Sequence, residues 1–122
     1  MSAGHHLFVV EIDREGGQAM SFRISRAEFE GTSLTLSVFE EDDRGTRKFF
    51  EKWLAEDSRS DVVVKHFNAD GSLKRSYKLP RMRCSCVKGP TFDWSATVSY
   101  FAVSLASDEG SYLEVREHND LG

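Results

Sequence analysis

The sequence predicts a mainly β domain, a sandwich or barrel of about six to eight strands with one short α-helix packed on the outside. Three observations carry this. Short apolar stretches recur, rich in Val and Ile at Leu7–Ile12 and Val62–Phe67 and alternating with period two at Leu34–Phe39 and Ala96–Leu105. Turn residues separate them, at Gly16-Gly17, Gly31, Asp70-Gly71, Gly89-Pro90 and Asp108–Gly110. Only one segment, Thr46–Ala55, shows helical apolar spacing.

The elements follow in order. Leu7–Ile12 (LFVVEI) is a strand, and Asp13–Gln18 (DREGGQ) is a turn. Over Met20–Phe29, Met20, Phe22 and Ile24 share one face and Arg23 and Ser25 the other. Leu34, Leu36 and Val38 then alternate with Thr35, Ser37 and Phe39. The acidic run Glu40, Glu41, Asp42, Asp43 ends that strand, and Asp42 or Asp43 is suited to cap the helix that follows. In the helix, Phe49, Phe50, Trp53 and Leu54 form one apolar stripe, which predicts packing against the strands. Val62–Phe67 and Leu73–Leu79 read as a hairpin turning at Asn68–Gly71, and Met82–Val87 extends it beyond Pro80. Phe101, Val103 and Leu105 share one face of a further strand, with Val98, Tyr100 and Ala102 on the other. Tyr112–Val115 reads as a last short strand and Glu117–Gly122 as a frayed polar tail.

At 122 residues the chain predicts a single domain, spanning 1–122, that buries roughly two-thirds of its surface without staples. The net charge of -4 argues against a general nucleic-acid binder, which needs an excess of Lys and Arg. No apolar run approaches the ~20 residues of a membrane-spanning helix, and MSAGHHLF lacks the pattern of a signal peptide. The expectation is therefore no membrane association.

Candidate chemistry is sparse. His5 and His6 lack further ligands at metal-site spacing, and Glu40–Asp43 lacks the alternating ligands and glycine of a calcium loop. Cys84 and Cys86, one residue apart on a strand, are expected on the same side. They read either as small buried residues or as thiols facing a neighbouring subunit. No nucleophile–base set, phosphate loop or framed carboxylate pair stands out. The sequence predicts no enzyme, no cofactor and no metal.

The stretch SLTLSVFEEDDRGTRKFFEKWL, with the hairpin VVVKHFNADGSLKRSYKL and the segment GPTFDWSATVSYFAVSLAS, resembles in order the tail tube proteins of contractile phages. The tube proteins of bacterial contractile injection systems share that fold. The resemblance covers over half of the chain. It implies a self-assembling structural subunit forming stacked hexameric rings around a lumen through which DNA passes without specific binding. The roles it allows are the repeating tube protein, a tube initiator or terminator, or a baseplate ring. Its implied partners are further copies and sheath or baseplate proteins, and its implied place is the virion tail, assembled in the host cytoplasm.

On that reading the Val62–Leu79 hairpin lines the lumen, and Glu40–Asp43 with Asp13–Gln18 stack the rings. Apolar surface left over on Tyr100, Phe101, Val103 and Leu105 is buried against neighbours. The competing reading is a monomeric β-barrel module binding a small ligand or peptide.

Overall fold

In the computed structural model, residues 8–13, 19–40, 45–91, 99–107 and 116–118 are described. They form β1 (Phe8–Asp13), β2 (Ala19–Glu30), β3 (Ser33–Phe39), α1 (Thr46–Glu56), β4 (Ser60–Phe67), β5 (Leu73–Thr91), β6 (Tyr100–Ser107) and β7 (Arg116–His118). Strand order is β4-β1-β2-β3-β6-β5-β7, and pairing of β4 with β5 closes six antiparallel strands into a barrel. The predicted fold class is the observed one.

Alternation decides the inside. Val10 and Ile12, Phe22 and Ile24, Leu34, Leu36 and Val38, Val62 and Val64, and Phe101, Val103 and Leu105 are buried in one core. Each apolar side chain withdrawn from water contributes roughly 1.5–3 kcal/mol. The surplus apolar surface expected on β6 is therefore absent, because Phe101, Val103 and Leu105 fill this chain's own barrel.

β5 closes the barrel by serving two neighbours. Its first part pairs with β4 and its second with β6, and Met82 is paired with both Ser60 and Ser107. The change of partner coincides with a kink. Pro80 contributes no amide donor, and Arg81 adopts φ 58°. The Arg81 amide donates instead to Asp61 Oδ1 at 3.1 Å.

The turn between β4 and β5 is held by its own polar atoms. Asp70 Oδ1 accepts from the Ser72 amide at 2.9 Å and from its hydroxyl at 2.6 Å. These bonds favour the ionised carboxylate and hold Asp70 below the ordinary carboxylate range. Gly71, at φ 92°, supplies the backbone freedom the turn needs.

The strand ends define two poles. β1 ends opposite the start of β2 and of β4, and β3 ends opposite the start of β6, all at one pole. The tight connections β2–β3 and β4–β5 lie at the other. α1 joins β3 to β4 and lies outside the strands, across the first pole. Phe50 packs 5.0 Å from Phe22 and 5.9 Å from Phe101, ring centre to ring centre. Trp53 is fully buried, and its indole N–H donates to the Ser58 carbonyl at 2.9 Å. Arg47 fastens the helix to β5 by donating to the Gly89 carbonyl at 2.8 Å, and its guanidinium lies 5.7 Å from the Phe101 ring centre.

Several local expectations are corrected. The N-cap position is held by Gly45, in the left-handed region at φ 61°, and not by Asp42 or Asp43, which lie outside the described residues. Leu54 is 38% exposed, because the buried face of α1 is centred on Phe50 and Trp53. Part of the expected frayed tail is ordered as β7, which pairs with Ser76–Lys78. The strand predicted at Tyr112–Val115 lies outside the described residues.

Candidate assembly surface

Among the described residues, no three His, Cys, Asp or Glu side chains cluster to hold a metal ion. The feature that stands out is instead one wall of the barrel. The end of β2, all of β3 and β6, and the second part of β5 form a four-stranded sheet whose inner face is core. The side chains of opposite phase point away from the core. They are Ser33, Thr35 and Ser37 on β3 and Ala102, Ser104 and Ala106 on β6, in direct cross-strand register, with the pair Phe39 and Tyr100 at the end of the same row. The two central strands thus present uncharged groups, small ones from Ser33 to Ser37 and Ala102 to Ala106 and two aromatic rings, Phe39 and Tyr100, at one end.

Charge is confined to the borders of that wall. Arg26, Glu28 and Glu30 lie opposite Ser37, Thr35 and Ser33 along β2. Arg26 bonds Glu28 at 2.6 Å. Arg83 and Lys88 lie opposite Ala106 and Ala102 along β5.

Both bordering strands have an open side. β1 pairs with β2 only as far as Phe8–Ile24, so Arg26–Glu30 has β3 as its single strand partner among the described residues. β4 pairs with β5 only as far as Ser60–Met82, so among the described residues Arg83–Thr91 has β6 alone as its strand partner. α1 approaches this second edge through Arg47.

Bulges shape the sheet. One extra residue in β2 between Ile24 and Arg26 bends that strand as it leaves β1. Another in β5 sets Cys84 opposite Leu105 and Cys86 opposite Ser104. The two thiols consequently face opposite sides of the sheet, which corrects the expectation that they share one. Cys84 is 1% exposed and donates weakly to the Phe50 carbonyl at 3.7 Å, while Cys86 is half-buried on the outward face. Ser85, the extra residue, turns its hydroxyl to the Ser104 carbonyl at 3.1 Å.

The remaining sequence-predicted site residues do not gather in one place. Phe50 and Trp53 are buried, Phe49 is half-buried at 4.9 Å from Phe22, and Leu54 is on the surface. Glu40 closes the end of β3, its amide donating to the Ser99 carbonyl at 3.0 Å. Glu41, Asp42 and Asp43 lie outside the described residues. On the hairpin, Lys65 bonds Glu11 of β1 at 2.8 Å. Sequence reading missed the uncharged wall, although its signal was present: in SLTLSVF and YFAVSLAS the outward phase is Ser, Thr and Ala with one aromatic residue each, Phe39 and Tyr100, and no charge.

No family model matches the sequence, and no curated protein matches it. Solved structures do match in fold. The chain is similar to the Hcp1 protein of E. coli EAEC 042, with a TM-score of 0.67 and 10% identity over 93% of this chain and 97% of that one. It is similar to a chain of the anti-feeding prophage baseplate, 6-fold symmetrised, with a TM-score of 0.60 and 16% identity over 100% and 99%. It is also similar to the tube terminating cap of that prophage, with a TM-score of 0.57 and 13% identity over 98% and 92%. At these identities the likeness establishes a shared fold.

Proposed function

We propose that this chain is a structural subunit, not an enzyme, that closes into rings around a bore in a contractile tube or a terminator or baseplate ring of the same machine. One observation carries the reading: an uncharged wall, mostly of small side chains, bordered by two strand edges that are open among the described residues. β2 runs toward the turn pole, and the second part of β5 runs away from it. The β2 edge of one copy can therefore pair antiparallel with the β5 edge of the next. Repeating that contact around a closed ring removes both edges. Glu28 and Glu30 then approach Arg83 of the neighbour, which favours this pairing over like-with-like contact. The ring number of six comes from the resemblance.

The outward faces of β3 and β6 would line the bore. Ser, Thr and Ala there offer no cations to trap phosphates, so DNA would slide past. This assignment replaces the Val62–Leu79 hairpin as the lining. The hairpin, with Lys65 committed to Glu11, would lie on the outer side, where sheath or baseplate proteins bind.

Cys86 provides the test, because it already stands on the β5 border. A cysteine introduced at Arg26, Glu28 or Glu30 in turn should cross-link under mild oxidation at one of the three. The product should be a ladder on a non-reducing gel that ends at a closed species. Absence of cross-links at all three positions, in material that forms rings, would show that the edges pair differently.

A further inference from the structure

Each of the two strand edges bordering the wall is bounded at both ends. On β2, pairing with β1 stops at Phe8–Ile24, and Gly31, at φ 60°, begins the turn into β3. Among the described residues this leaves Arg26–Glu30 open, five ladder positions. On β5, pairing with β4 stops at Ser60–Met82. The far end is closed by Arg47 of α1, which donates to the Gly89 carbonyl at 2.8 Å. Between these limits Arg83–Lys88 is open among the described residues. Ser85 is the extra residue of a bulge, so this stretch also offers five ladder positions.

The two stretches lie on the same rows of the sheet. Followed across β3 and β6, Glu30 shares a row with Arg83, Glu28 with Cys86 and Arg26 with Lys88. A second copy that continues these rows keeps the outward phases together and sets Ala27 opposite Val87 on the other face. Glu30 then faces Arg83, and the exposed Phe29 gains Val87 as a diagonal apolar neighbour. Arg26 faces Lys88, but it is bonded to Glu28 at 2.6 Å, and Glu28 is diagonal to Lys88.

Arg47 is well placed to act as a stop. Its Nε donates to Glu51 one turn along the helix at 3.0 Å, and its guanidinium lies 5.7 Å from the Phe101 ring centre. Gly89 sits in the irregular stretch between Lys88 and Thr91, at φ 119°. Pro90, next to it, has no amide donor. With the Gly89 carbonyl engaged by Arg47, the edge has little to offer a neighbouring strand beyond Lys88.

We infer that the contact between copies takes a single register, Arg26–Glu30 of one copy against Lys88–Arg83 of the next, and that Arg47 is the positioning residue that enforces it. The inference rests on the ring reading above and adds to it the register and the residue that sets it. A slide of two residues per copy would tilt the strands, as closed barrels commonly do. Here that slide carries Arg26 onto Gly89, which Arg47 holds, or Glu30 past Arg83 onto Met82, which β4 occupies. Either way two of the five positions are lost.

Disulfide trapping at Cys86 reads the register directly. Directly opposed residues of antiparallel strands lie within disulfide reach, at about 4.5–5.5 Å between Cα atoms, whereas diagonal ones, at about 7–8 Å, do not. Of three single variants, Glu28→Cys should form the cross-linked ladder with Cys86, and Arg26→Cys and Glu30→Cys only traces. Arg47→Met keeps an apolar stem and removes the donors. In that background, with melting curves recorded for each chain, Glu30→Cys should cross-link to Cys86 as readily as Glu28→Cys. Arg47→Lys retains a donor and should keep the pattern of the unaltered edge. Preferred cross-linking through Arg26→Cys or Glu30→Cys with Arg47 in place overturns the register while leaving the ring reading intact. An unchanged pattern in Arg47→Met removes Arg47 from the account. Rings with no cross-link at any of the three positions, or a wild type that forms no rings, remove both.

Discussion

Replacing Trp53 with alanine tests how α1 is held on the barrel. The indole is fully buried, packs 6.3 Å from Phe50 and 6.5 Å from Phe49, and donates to the Ser58 carbonyl. Truncating a buried tryptophan costs about 3–5 kcal/mol through lost burial and the cavity left behind. Against a total stability of about 5–15 kcal/mol, that is a large share. For a chain of this size the melting temperature should fall on the order of 10–20 °C. With a urea slope of about 1.5 kcal/mol/M, the midpoint should fall by about 2–3 M.

Far-UV circular dichroism is the appropriate signal, because the substitution removes a fluorophore. Leu54→Ala is the internal control: it sits one residue along the same helix but on the surface, and should cost under about 1 kcal/mol. Trp53→Phe lies between the two, keeping a ring but leaving the Ser58 carbonyl without the indole donor, at about 1–3 kcal/mol. Equal effects of Trp53→Ala and Leu54→Ala would refute this packing of α1.

Three further outcomes follow from single observations. At Arg81, held at φ 58°, glycine should be neutral or slightly stabilising, whereas valine should cost at least about 1–2 kcal/mol; equal urea midpoints would contradict the kink. His66 should titrate below its ordinary 6.5 in an NMR pH series, and Lys74→Ala should move it upward without restoring 6.5, because burial is the larger cause. The sign for stability is fixed by the lowered value: the contribution is full above the ordinary pKa and is lost as pH falls through the folded one. A thiol reagent added to native protein should label Cys86 quickly and Cys84 only on unfolding; rapid labelling of both would place them on one face after all.

Much of the fold is legible because burial writes a period of two. Leu34, Leu36 and Val38 face the core while Thr35 and Ser37 do not, and that pattern needs no knowledge of neighbours. The helix was legible for the same reason at a different period, through Phe50 and Trp53. What escaped depends on where one strand lies against another. The bulge that separates Cys84 from Cys86 inserts one residue against β6, and nothing in RCSCV signals it. The left-handed Arg81 is a non-glycine residue bent by the need of β5 to serve two partners. β7 is a polar segment whose strand geometry comes from the ladder of β5. The open edges of β2 and β5, central to the proposed assembly, follow from how far β1 and β4 reach along their partners.

The most direct measurement is negative-stain electron microscopy, with analytical ultracentrifugation, of the wild-type chain across a range of concentrations and salt. The account predicts closed rings with a central hole at every salt concentration, because strand-edge pairing backed by apolar contacts is little screened by salt. A single monomeric species at every concentration and salt would contradict it.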